Sequence, residues 1–319
     1  MFAVSVSDQD QSLPSPALRA FAWGVLAYFI AVILWGALVR ATGAGAGCGN
    51  HWPLCNGTVM QRDASLNTLI EFTHRITSGL SLLAVLALAA WSFAGTVRGH
   101  LARAAAVASV GFTLLEALLG ALLVALGLTA QSHSPLRPAF LALHLTNTLL
   151  LLAALALTAH LLNRCTGFRR ETIRITTPIR SVMGILAVMI VGVSGSLAAL
   201  GDTLFPPSSL GVALAQDFSA NSLWLVRWRW THPLIALAVG IFLVLLLVRA
   251  RREQKDRRLS VLALVLLGSV CAVGVLNVAL LAPVWAQVLH LLCADLLWVA
   301  LVVLTARLTI VPHEMRVRG

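Results

Sequence analysis

Four histidines carry the chemistry this chain can do: His74, His144, His232 and His290, each near the start of an apolar stretch. An imidazole surrounded by hydrocarbon costs free energy unless it finds a partner, so an ionisable side chain there marks a candidate site. The interval from His74 to His232 nearly equals that from His144 to His290, which divides the set between two halves of the chain. Two imidazoles on facing helices of a bundle are a common way to hold a haem iron from both axial sides. A bare zinc or copper ion would ask for a tighter cluster with further ligands. A lone histidine on an apolar helix is more often a hydrogen-bonded core residue, but four at repeat-related positions favour ligation.

Glu71 stands three residues before His74, on the same helix face, and Arg75 follows directly. A carboxylate there can orient the imidazole, take a proton or tune a bound metal centre. The competing reading is a carboxylate that caps the helix start or pairs with Arg75. In the second half the position three before His232 is Arg229, and Pro233 stands where the first half has Arg75. An acid in one half and a base in the other argue for reactive chemistry in the first half and a resident cofactor in the second.

The elements that must position these groups are membrane spans. Apolar residues make up 59% of the 319 residues and charged residues only 11%, with mean hydropathy +0.90. Crossing the hydrocarbon core takes about 20 apolar residues in a helix. Eight stretches qualify, near 20–39, 67–94, 104–128, 139–162, 180–200, 229–249, 259–281 and 284–306. The polar segment before the first, with Asp8, Asp10, Pro14 and Pro16, lacks a small-residue cleavage site, so that span reads as retained. The expected fold is an all-α polytopic membrane protein, with eight helices in two pseudo-symmetric four-helix bundles. The basic segment from Arg164 to Arg180 is the seam between an N-terminal half, 1–165, and a C-terminal half, 166–319.

With the N-terminus inside, seventeen Lys and Arg residues fall in inner segments. Only Arg40, Arg62, Arg75, Arg137, Arg227 and Arg229 fall in outer segments and outer helix ends. That positive-inside bias places both termini in the cytoplasm and all four site histidines towards the outer face. The net charge of +11 is therefore topological, with contact to anionic lipid added, and nucleic acid is excluded as a partner. Of the other histidines, His51 and His133 fall in outer loops, His100 and His313 on the inner side and His160 at an inner helix end; none reads as a ligand.

Cys48 and Cys55 share the first long outer loop. On an oxidising face such a pair suits a disulfide, with redox-active thiols and a metal pair as alternatives. Cys271 and Cys293 lie in spans and read as small buried apolar residues, while Cys165 lies on the reducing side. The second long outer loop, near 201–228, has no cysteine. Glu116, Asn147, Asn277 and Asp295 are further polar groups in spans, of which Glu116 suits helix packing or a proton path. Gly36, Gly192 and Gly195 are among the small residues that let helices or a flat macrocycle approach closely.

These motifs resemble the haem A synthase family over nearly the whole chain. The likeness rests on GALVRATGAGAGCGNHWPLC with its cysteine pair, on EFTHR, on the paired histidines and on APVWAQVLHLLCADLLWVALV. The resemblance implies oxidation of the C8 methyl of haem O to a formyl group, giving haem A for terminal oxidases. It further implies that His232 and His290 ligate the iron of a resident haem B, and that His74 and His144 flank the haem O substrate. Glu71 would be essential to the chemistry, and Cys48 and Cys55 would form a loop disulfide. A haem O synthase and cytochrome oxidase assembly factors are the partners so implied, in a bacterial inner membrane. The chain departs from the family at Glu116, where glutamine is frequent, and in lacking a second cysteine pair. A dihaem cytochrome b-type electron carrier fits the same composition and histidines. A secondary transporter fits less well, because these repeats run parallel and the spans lack central breaks.

Overall fold

The computed structural model describes residues 13–58, 64–130, 132–164, 173–175, 179–252 and 256–312. Eight of its helices are long and apolar enough to cross a membrane. They are α1 (Pro16–Ala41), α2 (Leu66–Ala94), α3 (Leu101–Ala125), α4 (Leu136–Leu161), α5 (Ile179–Leu204), α8 (Thr231–Arg252), α9 (Arg257–Ala279) and α10 (Val284–Thr309). Between α5 and α8 the chain forms two short helices, α6 (Leu210–Phe218) and α7 (Trp224–Arg227), where the sequence suggested only a loop. A second departure from the all-α expectation is small. Ile173–Ile175 (β1) pairs antiparallel with Ile310–Pro312 (β2), tying the α4–α5 connection to the end of α10.

The helix starts follow from capping. Ser15 accepts a hydrogen bond from Leu18 N at 3.2 Å with Pro16 just inside α1, and Ser65 does the same for Thr68 N at the head of α2. Within the spans, hydroxyls satisfy themselves on the preceding turn, as Ser92 does on Leu88 O and Thr113 on Ser109 O. This local bonding lets polar side chains sit in spans where no water can solvate them.

Helices α1 to α4 pack in succession and α4 returns to α1; α5, α8, α9 and α10 pack likewise, with α10 returning to α5. Contacts of α4 with α5 and α10, and of α1 with α10, join the two groups. The main core lies along this junction: Leu26 and Phe29 of α1, Leu152 and Leu155 of α4, and Trp298 and Val302 of α10. Trp298 Nε1 donates to Leu149 O at 2.8 Å, a bond from α10 to the backbone of α4. Apolar side chains on the perimeter, such as Leu83, Ile190 and Leu245, are exposed. A helix that faces lipid needs no protein cover there.

Candidate functional site

The site histidines lie within about two turns of the same end of the bundle, the end that carries the cysteine loop. Three of the four pack against a glycine of the preceding span. A Cβ on Gly36 (α1) would come 3.0 Å from His74 Cε1, one on Gly195 (α5) 2.9 Å from His232 Cε1, and one on Gly274 (α9) 3.0 Å from His290 Cε1. The missing side chain at each glycine is thus the space the imidazole fills, and it sets how close the helices stand. His144 has no such glycine. Its Nε2 lies 3.6 Å from Glu116 Oε1 of α3, and that carboxylate accepts from Asn147 Nδ2 and Thr148 Oγ1, both at 2.5 Å.

The rings of His232 and His290 have centroids 6.4 Å apart and planes at 88°. Two imidazoles on opposite sides of one metal need roughly 6 Å between ring centres, from bonds of about 2 Å and a ring centre about 1 Å behind each nitrogen. The spacing fits a single iron between them. Ser194 of α5 hydrogen-bonds His232 Nδ1 at 3.0 Å, the kind of second contact that fixes the tautomer and orientation of a ligating ring. An apolar groove of about 390 Å³, lined by Ala236, Gly240, Gly268 and Cys271, opens between α8 and α9 one turn further in. Leu237, Ile241, Leu245 and Leu267 complete its wall, and the first three of these lie on the exposed perimeter of the bundle. In the first group His74 and His144 lie within electrostatic reach of one another, and Nδ1 of each is buried without a partner among the described residues. Buried polar nitrogens without a partner are uncommon and call for an explanation. Among the described residues no three His, Cys, Asp or Glu side chains cluster as ligands for a bare ion; what converges is pairs.

Glu71 is 3% exposed, but it does not bond His74. Its Oε1 pairs with Arg75 at 2.6 Å and its Oε2 accepts from Cys48 N at 2.8 Å. Arg75 in turn donates to His51 O and Leu54 O, so the two residues fasten the loop across the head of α2. Cys48 and Cys55 form a disulfide within that loop. Arg229, 7% exposed, fastens the other long loop. It pairs with Asp217 at 2.8 Å and Asp202 at 3.3 Å and bonds Gln216 Oε1 and Phe205 O.

Of the remaining sequence candidates, Asp295 and Asn277 each have a buried oxygen without a partner among the described residues. Cys293 is half-buried, while Cys271 is exposed, which corrects its reading as a buried apolar residue; Cys165 and His313 lie outside the described residues. His160 and His100 are buried at the opposite end, where His100 caps α3, and His51 and His133 lie in loops, His51 exposed. Gly274 was not singled out by sequence, although its place sixteen residues before His290 in a small-residue run was visible. Arg40 and Arg137 were counted only as loop charges, yet both turn inward.

A multi-pass helical protein with two part-buried histidine pairs beneath two fastened loops is the class that the fold and site define. The chain belongs to the COX15-CtaA family, described as cytochrome oxidase assembly protein, whose model matches residues 19–302. It is 45% identical over 290 residues to a protein of Thermus thermophilus named protoheme IX farnesyltransferase, covering 90% of this chain and 48% of that protein. The chain therefore spans about half the length of that relative. It is also 46% identical over 101 residues to the heme A synthase of Bacillus licheniformis, 31% of this chain and 32% of the relative. With the heme A synthase of Alkalihalophilus pseudofirmus it shares 40% identity over 126 residues, 40% of each.

Proposed function

We propose that this chain is a haem A synthase, oxidising the C8 methyl of haem O to a formyl group. The observation that carries the reading is the His232–His290 pair, spaced at 6.4 Å for one iron and seated against Gly195 and Gly274. In this reading the C-terminal half, 166–319, holds haem B between those two residues. The N-terminal half, 1–165, takes haem O between His74 and His144. When bound, haem B would supply a one-electron redox centre beside the reacting half.

Methyl to aldehyde withdraws four electrons and four protons, two of each at each of two hydroxylations by water, and loss of one water from the gem-diol leaves the formyl group. The electrons would leave one at a time to an external one-electron acceptor. Glu71 is the carboxylate one turn before His74, where it can take a proton or hold a water at the reacting carbon. Arg75 and Cys48 N–H fix its orientation, and the loop they fasten keeps bulk water from the site. The charge distribution favours cytoplasmic termini, with the haem sites towards the outer face of the plasma membrane. The two halves then act as pseudo-symmetric four-helix bundles with different duties.

The name of the Thermus relative raises farnesyl transfer to protohaem as a second activity. Only 48% of that protein matches this chain, and the matching part is the one that carries the COX15-CtaA pattern here. We assign farnesyl transfer to the part this chain does not share, which makes a haem O synthase the natural partner and supplier. Co-expression with a haem O source, followed by pigment extraction, tests the assignment. Haem A should form with the intact chain, and only haem B should be recovered if the protein is a dihaem electron carrier. Haem O made from haem B by this chain alone would overturn the assignment of farnesyl transfer.

A further inference from the structure

Two arginines at the cysteine-loop end have no acidic hydrogen-bond partner among the described residues. Arg40 of α1 donates to Ala199 O and Thr203 Oγ1 of α5, each at 3.0 Å, and to Gln287 Oε1 of α10 at 2.8 Å, all neutral oxygens. Arg137 of α4 is 3% exposed; it donates to Ser132 O, and its Nε is buried without a partner among the described residues. The two guanidinium groups lie within electrostatic reach of each other, and Arg40 lies within reach of Asp202. That aspartate is already engaged by Arg229, which Asp217 also pairs, so three arginines face two aspartates. A buried cation with an unused donor is costly, and an anion brought by a ligand removes the cost.

The helix positions say where such an anion would come from. Arg40 lies four residues after Gly36, the residue packed on His74, and so on the same face one turn nearer the end of the bundle. Arg137 lies seven residues before His144, two turns away on one face, an axial rise of about 10 Å. Both helix positions therefore lie on the loop side of the first histidine pair, Arg137 two turns from His144 and Arg40 one turn from Gly36, with the Arg40 guanidinium turned towards α5 and α10. We propose that Arg40 and Arg137 form an anion subsite that receives the propionate carboxylates of the porphyrin seated between His74 and His144. This rests on the haem reading above and adds to it a fixed in-plane orientation. The paired carboxylates point to the loop end and the hydrophobic edge points into the membrane.

The test titrates the full-length chain, already carrying one equivalent of haem B in its C-terminal half, in nanodiscs of phosphatidylcholine, with further iron protoporphyrin IX and separately with its dimethyl ester, reading the added Soret absorbance. Wild type should bind the free acid about tenfold or more tightly than the ester, the range expected of charge-assisted hydrogen bonds. Arg137→Gln should bring the ratio close to one, and Arg40→Gln should lower it in part; a folding defect would weaken both ligands and leave the ratio intact. Equal binding of acid and ester by wild type overturns the subsite and leaves the haem reading standing. Loss of the preference when phosphatidylglycerol is added would show that the arginines serve lipid phosphate instead, and also overturns it. If His74→Ala leaves uptake of both forms unchanged, the placing of a porphyrin between His74 and His144 fails and the subsite falls with it.

Discussion

Glu71 and Arg229 each stand three residues before a site histidine, and each is almost fully buried, yet one is an anion and the other a cation. The first is met by Arg75 and a backbone N–H, in a loop closed by a disulfide. The second is met by Asp202 and Asp217, in a loop that contains α6 and α7 and no cysteine. The position three before the histidine thus performs the same mechanical task in both regions, from within α2 in one and from the turn before α8 in the other, holding a loop over the head of a histidine-bearing helix. The sequence alone suggested a division between reactive chemistry in the first half and a resident cofactor in the second. The structure supplies a second account of the same asymmetry, in which each charge is matched to the loop it fastens. The two accounts separate when product formation and stability are measured apart.

Glu71→Gln keeps an acceptor for Cys48 N and nearly the same shape, but it removes the charge. We expect bound pigment to persist while haem A formation falls by about 10²-fold or more, the range typical of a lost general acid or base. Normal product from this variant would reduce Glu71 to a loop fastener, equal in role to Arg229. Arg229→Gln should act the other way round, because it leaves Asp202 and Asp217 without their cation. A loss of about 3 kcal/mol in thermal stability is expected, with turnover per folded molecule little changed. Thermal scanning and activity normalised to haem content would distinguish the two effects. Cys48→Ser with Cys55→Ser should cost less, at most about 2.5 kcal/mol for so short a loop, since Glu71 and Arg75 still hold it. Added reductant should produce the same shift in wild type and none in the double variant. The smallest change is expected from Gly195→Ala, whose Cβ would press His232 Cε1 at 2.9 Å. The helix pair must give by a few tenths of an ångström, and a shift in the reduced haem spectrum of a few nanometres or less would report it. An unchanged spectrum there would show that the close approach of Gly195 does not set the His232 ring.

Much of the frame was legible because lipid permits few solutions. A span must be a long apolar helix, so the eight stretches found from composition lie within the eight helices to a few residues at most ends. The histidines were legible for the same reason, since polar groups in spans are few and costly. The cysteine pair needed only its compartment and its spacing. What escaped notice depends on the direction of a side chain. Arg40 and Arg137 sit at helix ends, where an arginine reads as a topological charge whether it turns to solvent or inward. Cys271 lies in a span, but sequence does not say which face meets a neighbour. The Cys48 N–H that holds Glu71 comes from a loop more than twenty residues earlier, a contact that no helical spacing encodes. The helices α6 and α7 are short and flanked by turn residues, below the length at which an apolar period is clear.

The indole of Trp298 is bonded to the backbone oxygen of Leu149, deep between the helices that bear His290 and His144. This bond adds to the packing of α10 on α4 and resists rolling of either helix about its axis. If each histidine pair grips a redox centre, the gap an electron must tunnel is then set once, during assembly, and thermal rocking does not modulate it. Replacing that indole with phenylalanine would turn a fixed conduction distance into a fluctuating one.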